Sequence, residues 1–245
     1  MLDIHCHLDH PLLTANIPNY VSASITTLTC GIKPTSWVDN LKIAREFELP
    51  FCLGVHPFFA ENPEYANLEL LESYLKNSKV FAIGEIGLDY NKPQIHSKQA
   101  QLLTFKKQLT LAETYKLPVL IHCRKAFSDF WELVKPYSMP MIHHAFSGSE
   151  NDLKLVIKRG DYVSYGFPIT YENNNKQVSL LKQTPLENLF LETDSPYMKR
   201  AHQLPAEYSS PSDIGLVYAK ASQLLGVGRE QLEFSLNSNF KKLQK

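Results

Sequence analysis

With 245 residues, 44% of them hydrophobic, the chain is long enough to bury a large core, as one barrel-sized domain or two small ones. Lys plus Arg and Asp plus Glu both number 25, so no global charge draws the chain to nucleic acid or to a membrane surface, and only a local basic patch is left open. No run approaches the ~18 apolar residues that a membrane span needs.

The first element predicted is a strand over "LDIHCH", which places His5 and His7 two residues apart and so on one face. It starts almost at Met1, with charge from Asp3 onward and no basic start before a long apolar stretch, which argues against a secretory signal. The next stretch, "LDHPLLTANIPNYVSA", carries two prolines and is short for a helix, so a curtailed first helix is expected. Further strands are expected over "SITTLTCG", "FCLGVHP", "VFAIGEIGL", "VLIHCR", "MIHHAF", "YVSYGF" and "LFLETD". Between them run helical patterns: "WVDNLKIAREFE", "ANLELLESYLKN", "KQAQLLTFKKQLTLAETYK", "AFSDFWELVKPY", "ENDLKLVIKRG" and a shorter "NKQVSLLKQ". Leu68, Leu71 and Leu75 keep helical spacing, as do Leu102, Phe105 and Leu109. The last third reads as two helices punctuated by Gly226 and Gly228.

Eight strands alternating with helices predict an α/β fold, a TIM-type (β/α)8 barrel, whose usual size is about 250 residues. An open doubly wound sheet is the alternative, but no Gly-x-Gly-x-x-Gly follows the first strand. Without repeats, low-complexity segments or linker-like shifts, residues 1–245 are expected to form a single domain. The four cysteines form no Cys-x-x-Cys pair and three lie in apolar runs, the pattern of reduced core thiols in a cytoplasmic protein.

Polar groups collect at or near the C-terminal ends of the expected strands: His5 and His7, His56, Glu85, His122, His143 and His144, and Asp194. A barrel builds its active site from those ends. Any one of these histidines alone is more often a satisfied buried side chain, and Asp194-Ser195-Pro196 alone reads equally well as a strand-ending turn. Glu85 amid apolar residues is costly to bury unless paired or metal-bound, and the shared polarity of all these groups argues against coincidence. Imidazole with carboxylate suits zinc, manganese or another divalent ion. Six ligands exceed the needs of one catalytic ion, whereas two ions ~3.5–4 Å apart that share a carboxylate fit the count, with Glu85 as the bridge. Such a pair activates water and clamps the oxygens of a phosphodiester. A thiol mechanism is weaker, because Cys6 and Cys123 adjoin histidines in sequence and so point to the opposite face.

In order, "HCHLD", "GVHPFF", "IGEIGLDY", "LPVLIHCRKA", "HAFSG" and "LETDSPY" resemble the motifs of the TatD-type DNase family of metal-dependent hydrolases, within the amidohydrolase superfamily. The resemblance runs from residue 3 to about residue 198, with a fainter echo at "NSNFKKL". It implies a TIM-type barrel, a binuclear divalent centre and phosphodiester hydrolysis, often 3′→5′. It also implies a first metal held by His5, His7 and Asp194, a bridging Glu85, and a second metal held by His122 and His144. Asp194 would act as general base on the attacking water, and His56 and Arg124 would contact phosphate. His143 falls outside the motif and reads as structural. The chain departs from the family in its short first connection, in Lys125 where an acidic residue is frequent, and in "KRAHQLPAEYSSPSD" after the last motif.

The leading expectation is therefore a divalent-metal-dependent phosphodiesterase or deoxyribonuclease acting on nucleic acid, using two ions of zinc, magnesium or manganese. The expected location is the cytoplasm, with no membrane association and no obligate protein partner. Lys92, Lys98, Arg124, Lys125, Lys199 and Arg200 are the cations expected nearest the mouth. One alternative keeps the centre and hydrolyses a small-molecule ester or amide, or an aminoacyl ester on tRNA. Another is a non-catalytic barrel that binds a partner, which predicts a missing ligand; all six positions are filled.

Overall fold

Eight parallel strands in the order β1 to β8 form one sheet in the computed structural model, which describes residues 1–21, 24–66, 68–91, 98–199 and 207–244. The first four are β1 (Leu2–Cys6), β2 (Thr26–Gly31), β3 (Phe51–Leu53) and β4 (Ala82–Asp89). The second four are β5 (Val119–Arg124), β6 (Met141–His143), β7 (Tyr162–Tyr165) and β8 (Leu189–Leu191). Seven fall within the runs expected to be strands, and β4 runs one residue past its expected end, to Asp89. The tail of β8 returns to β1: Asp194 N–H donates to His5 O at 2.9 Å and His7 N–H to Ser195 O at 2.8 Å. That zipper nearly closes the sheet into a barrel.

The first connection is curtailed, as its prolines require. It holds two four-residue turns of helix, α1 (Pro11–Thr14) and α2 (Ile17–Tyr20). The longer helices are α3 (Pro34–Glu46), α5 (Glu69–Asn77), α6 (Lys98–Tyr115), α7 (Phe127–Val134), α8 (Glu150–Arg159) and α9 (Asn175–Gln183), with a short α4 (Pro63–Ala66) before α5. Two closing helices, α10 (Ile214–Leu225) and α11 (Arg229–Leu243), flank Gly226 and Gly228. Their ends follow local chemistry. Ser149 and Asp152 make a reciprocal capping box at the start of α8, and Gly160 ends it in the left-handed conformation that glycine adopts without steric cost. No helix among the described residues is long and apolar enough to cross a membrane.

The core divides around the barrel. Trp37, Leu71, Phe105, Leu109 and Phe130 pack from α3, α5, α6 and α7 on β3 to β6, while Tyr218, Leu232 and Leu236 from α10 and α11 join the opposite cluster with Leu2 and Leu189. A small third cluster, Cys6, Leu8, Ile17 and Ile43, lies under the curtailed connection.

Three buried polar side chains on the helices fix the strand ends that carry the site. Trp37 Nε1 donates to Gly31 O and Gly54 O, both at 3.1 Å. On α6, Gln108 brackets Val55, accepting from its N–H at 2.7 Å and donating to its O at 3.1 Å. Seven residues away on the same face, Gln101 does the same for Asp89 at 2.8 and 3.0 Å. A buried amide left unpaired costs free energy comparable to a lost hydrogen bond, so these contacts hold the loop starts in register.

Candidate metal centre

The six expected ligands meet at one end of the barrel around Glu85. Its side chain stands midway along the eight-residue β4 rather than at the strand's end, and it is 3% exposed. Its two oxygens face different histidines. Oε2 lies 3.3 Å from His5 Nε2 and 3.8 Å from His7 Nε2. Oε1 lies 2.7 Å from His122 Nδ1, 2.8 Å from His144 Nε2 and 3.4 Å from His56 Nε2. Asp194 Oδ1 completes the first side, 3.3 Å from His5 Nε2 and 3.4 Å from His7 Nε2. On the second side His122 Nδ1 and His144 Nε2 are 3.1 Å apart.

Local sequence explains why these groups converge. His5 and His7 alternate with Ile4 and Cys6, which turn away from the site. Gly87 lets β4 run close to β5: at φ 146° a Cβ there would stand 1.9 Å from the His122 carbonyl oxygen. Asp194 sits at φ 48°, the left-handed region that Asp tolerates better than most residues, and this turns its carboxylate back over the barrel mouth.

The donor set fits divalent ions. Among the described residues, three groups of side chains place ligand atoms within 4.8 Å of one another: His5, His7 and Asp194; His5, Glu85 and His144; and His56, Glu85 and His122. His5 Nε2, on the side facing Glu85 and Asp194, is buried without a hydrogen-bond partner, a costly state for an imidazole nitrogen with no ligand to meet. The charges are mutually set. Burial pulls the His5 imidazole down, but Asp194 and Glu85 hold its pKa well above the ordinary value. Burial likewise opposes charge on His144, and Glu85 lifts it to about 10. Burial would raise Glu85, yet His144, His56 and His122 hold it well below the usual carboxylate range. Asp194 is depressed in the same way by His5 and His7 against its own burial.

His56 differs. Burial lowers its pKa to about 4, and its Nδ1 accepts from Phe58 N–H at 3.1 Å in the turn over Pro57–Phe59. With Nδ1 taken up by Phe58 N–H, a neutral ring carries its proton on Nε2, which faces Glu85 Oε1 at 3.4 Å. Arg124 is exposed at the end of β5 and lines both neighbouring cavities. The larger, about 510 Å³, also meets Tyr171, Tyr197 and Lys199; the smaller, about 300 Å³, meets His56, Phe58 and Glu85. Lys98 is engaged elsewhere, paired with Asp129 at 2.5 Å. Lys92 and Arg200 lie outside the described residues. His143 points to the outer face, its ring 5.2 Å from Phe130 and 5.9 Å from Trp131.

Two carboxylates not assigned from the sequence stand behind the second group. Asp89 Oδ2 lies 2.9 Å from His122 Nε2. Glu192 Oε1 accepts from Ala145 N–H at 2.7 Å and stands 3.6 Å from His144 Nδ1. Their signal was positional: Asp89 follows Glu85 by four residues and Glu192 precedes Asp194 by two, spacings that share a strand face. Asp3, two before His5, accepts from Thr193 Oγ1 at 2.7 Å and ties the ligand strand to the approach to Asp194.

The fold and the sequence are similar to those of known proteins. The crystal structure of YjjV, a TatD homologue from Escherichia coli, superposes with a TM-score of 0.91 at 27% identity, covering 99% of this chain and 97% of that one. A "3'-5' ssDNA/RNA exonuclease TatD" from Salmonella typhimurium is 33% identical over 165 residues, 64% of this chain and 62% of its own length. A "putative deoxyribonuclease TATDN1 homolog" from Vairimorpha ceranae is 32% identical over 178 residues, 72% of this chain, and the match spans 64% of the relative's length. The model of the TatD related DNase family matches residues 2–245, and the chain belongs to that family.

Proposed function

We infer that the chain, as one domain over residues 1–245, hydrolyses phosphodiesters at the ends of nucleic acid strands with two divalent ions, zinc, magnesium or manganese. The observation that carries this reading is the orientation of Glu85, one oxygen toward His5 and His7 and the other toward His122 and His144. A carboxylate facing two ligand groups is the arrangement of a bridge between paired ions. The names of the Salmonella and Vairimorpha relatives support a nucleic acid substrate. Four free cysteine thiols are in keeping with a cytoplasmic location.

In this reading His5, His7 and Asp194 would hold one ion, His122 and His144 would hold the other, and Glu85, which faces both groups, would be shared. Bound divalent ions lower the pKa of water and neutralise charge building on phosphoryl oxygens. Asp194, kept ionised, accepts a proton or hydrogen bond from the attacking water as general base. Neutral His56 donates from Nε2 toward the site, and the Arg124 guanidinium can reach a phosphoryl oxygen from the cavity wall. The aromatic rings of Phe58 and Tyr197 line the same cavity and offer faces on which a terminal base can stack.

The test is a panel of single-stranded DNA and RNA oligonucleotides, an aminoacyl ester and an amide, run with the wild type and with Glu85→Ala and Asp194→Ala. Trimming of an oligonucleotide that both variants lose supports the reading. Turnover confined to the aminoacyl ester or the amide contradicts the substrate, and an oligonucleotide trimmed equally well by either variant contradicts the site.

A further inference from the structure

The metal-centre reading leaves the cysteines without a role, yet one of them touches the centre. Cys30 on β2 is fully buried, with its Sγ 3.1 Å from His5 Nδ1. The carbonyl oxygen of the same residue lies 3.1 Å from His7 Nδ1. One residue thus meets the rear nitrogen of both histidines of the first strand.

Its position is held from two sides. Cys30 is the register partner of Cys52 on β3, whose Sγ donates to Cys30 Sγ at 2.8 Å. Trp37 pins the next carbonyl, Gly31 O, and Gly54 O beyond β3. Cys6 lies in the Leu8, Ile17 and Ile43 cluster, away from the site, so contact with the histidines is particular to the β2 position.

Imidazole chemistry says what this contact does. A neutral ring carries one N–H, so a ring that offers its Nε2 lone pair forward must carry the proton on Nδ1 and needs an acceptor behind it. A carboxylate or carbonyl usually fills that place. His7 has the carbonyl. His5 has the Cys30 sulfur at 3.1 Å.

We propose that Cys30 is the positioning residue for both histidines of the first strand, its sulfur and its carbonyl oxygen accepting the Nδ1 protons of His5 and His7 so that both Nε2 atoms face the ion. The assignment rests on the metal-centre reading above.

Zinc binding by the metal-stripped full chain, measured by competition with a chromogenic chelator, tests it. Cys30→Ala removes the sulfur and leaves the carbonyl, so one of the two zinc ions binds about tenfold more weakly, the low end of the ~10–100-fold typical of an outer partner, while the other is unchanged. Cys30→Ser keeps an acceptor and restores affinity to within about threefold of wild type. A purely packing role would not separate the alanine from the serine variant. If Cys30→Ala does not fold, Cys30→Val, which fills the thiol's volume without an acceptor, takes its place. Equal zinc affinity in the wild type and the alanine or valine variant overturns the proposal, as does a serine variant as weak as either. A wild-type chain that takes up no zinc overturns the metal-centre reading itself and is seen before any substitution is made.

Discussion

The two halves of the candidate centre are built alike in front and differently behind. In front, each presents two imidazoles to one oxygen of Glu85. Behind, His5 and His7 back onto the sulfur and carbonyl of Cys30, whereas His122 backs onto the Asp89 carboxylate and His144 faces Glu192. A carboxylate behind an imidazole fixes its tautomer and raises its basicity; a thiol fixes the tautomer and adds little charge. The first half makes up the difference in front, with Asp194 beside both rings. One half thus draws negative charge from the carboxylates behind it, the other from Asp194 beside it.

Substitutions can break that contrast, and Glu85 offers the largest effect because both halves share it. Glu85→Gln is expected to lower turnover by more than the ~10–100-fold loss typical of an outer-shell partner and to reduce the binding of both ions, read by activity and by elemental analysis. Asp89→Asn should act on one half only: one ion of two binds about 10–100-fold more weakly, and the ion at His5 and His7 is retained. Loss of both ions would show that the halves are not separable. Arg124→Ala touches neither half, so kcat/KM on an oligonucleotide should fall by roughly tenfold, about the worth of one charge-assisted hydrogen bond, with metal content unchanged.

The smallest expected effect is on the stability of the metal-free protein. Glu85 and Asp194 have depressed pKa values, so their contribution is present above the ordinary carboxylate range and is lost as pH falls through their folded values. His5 and His144 have raised values, so theirs is complete below the imidazole's unfolded pKa of about 6.5 and fades as pH climbs toward the folded value, about 10 for His144. The melting midpoint of the metal-free chain should therefore be highest near pH 5–6.5, roughly between the two unfolded ranges, and Glu85→Gln should flatten the profile. A wild-type midpoint still rising from about pH 7 to 9, above the unfolded imidazole range, would have the wrong sign.

The barrel was legible because its signals are periodic: a spacing of two in "LDIHCH" and of three and four in α6 survive whatever the chain packs against. The front candidates were legible for the same reason, each standing within a strand run or just after one. What lay behind them was less so. Cys30 sits in an apolar run and reads as core, and only the registration of β2 between β1 and β3 brings its sulfur to His5 and Cys52. Asp89 closes the same strand that carries Glu85, but its partner His122 comes from β5, a pairing that depends on Gly87. The low pKa of His56 comes from its burial in the folded mouth, and its Nδ1 contact from the turn over Pro57–Phe59, neither of which composition announces.

The most direct measurement of the central claim is a metal titration of the stripped protein with turnover of a single-stranded oligonucleotide followed at each addition. Two ions bridged by Glu85 predict no trimming in the metal-free chain and full activity only as the second equivalent binds. Full activity at one equivalent, or without added metal, would contradict a binuclear centre.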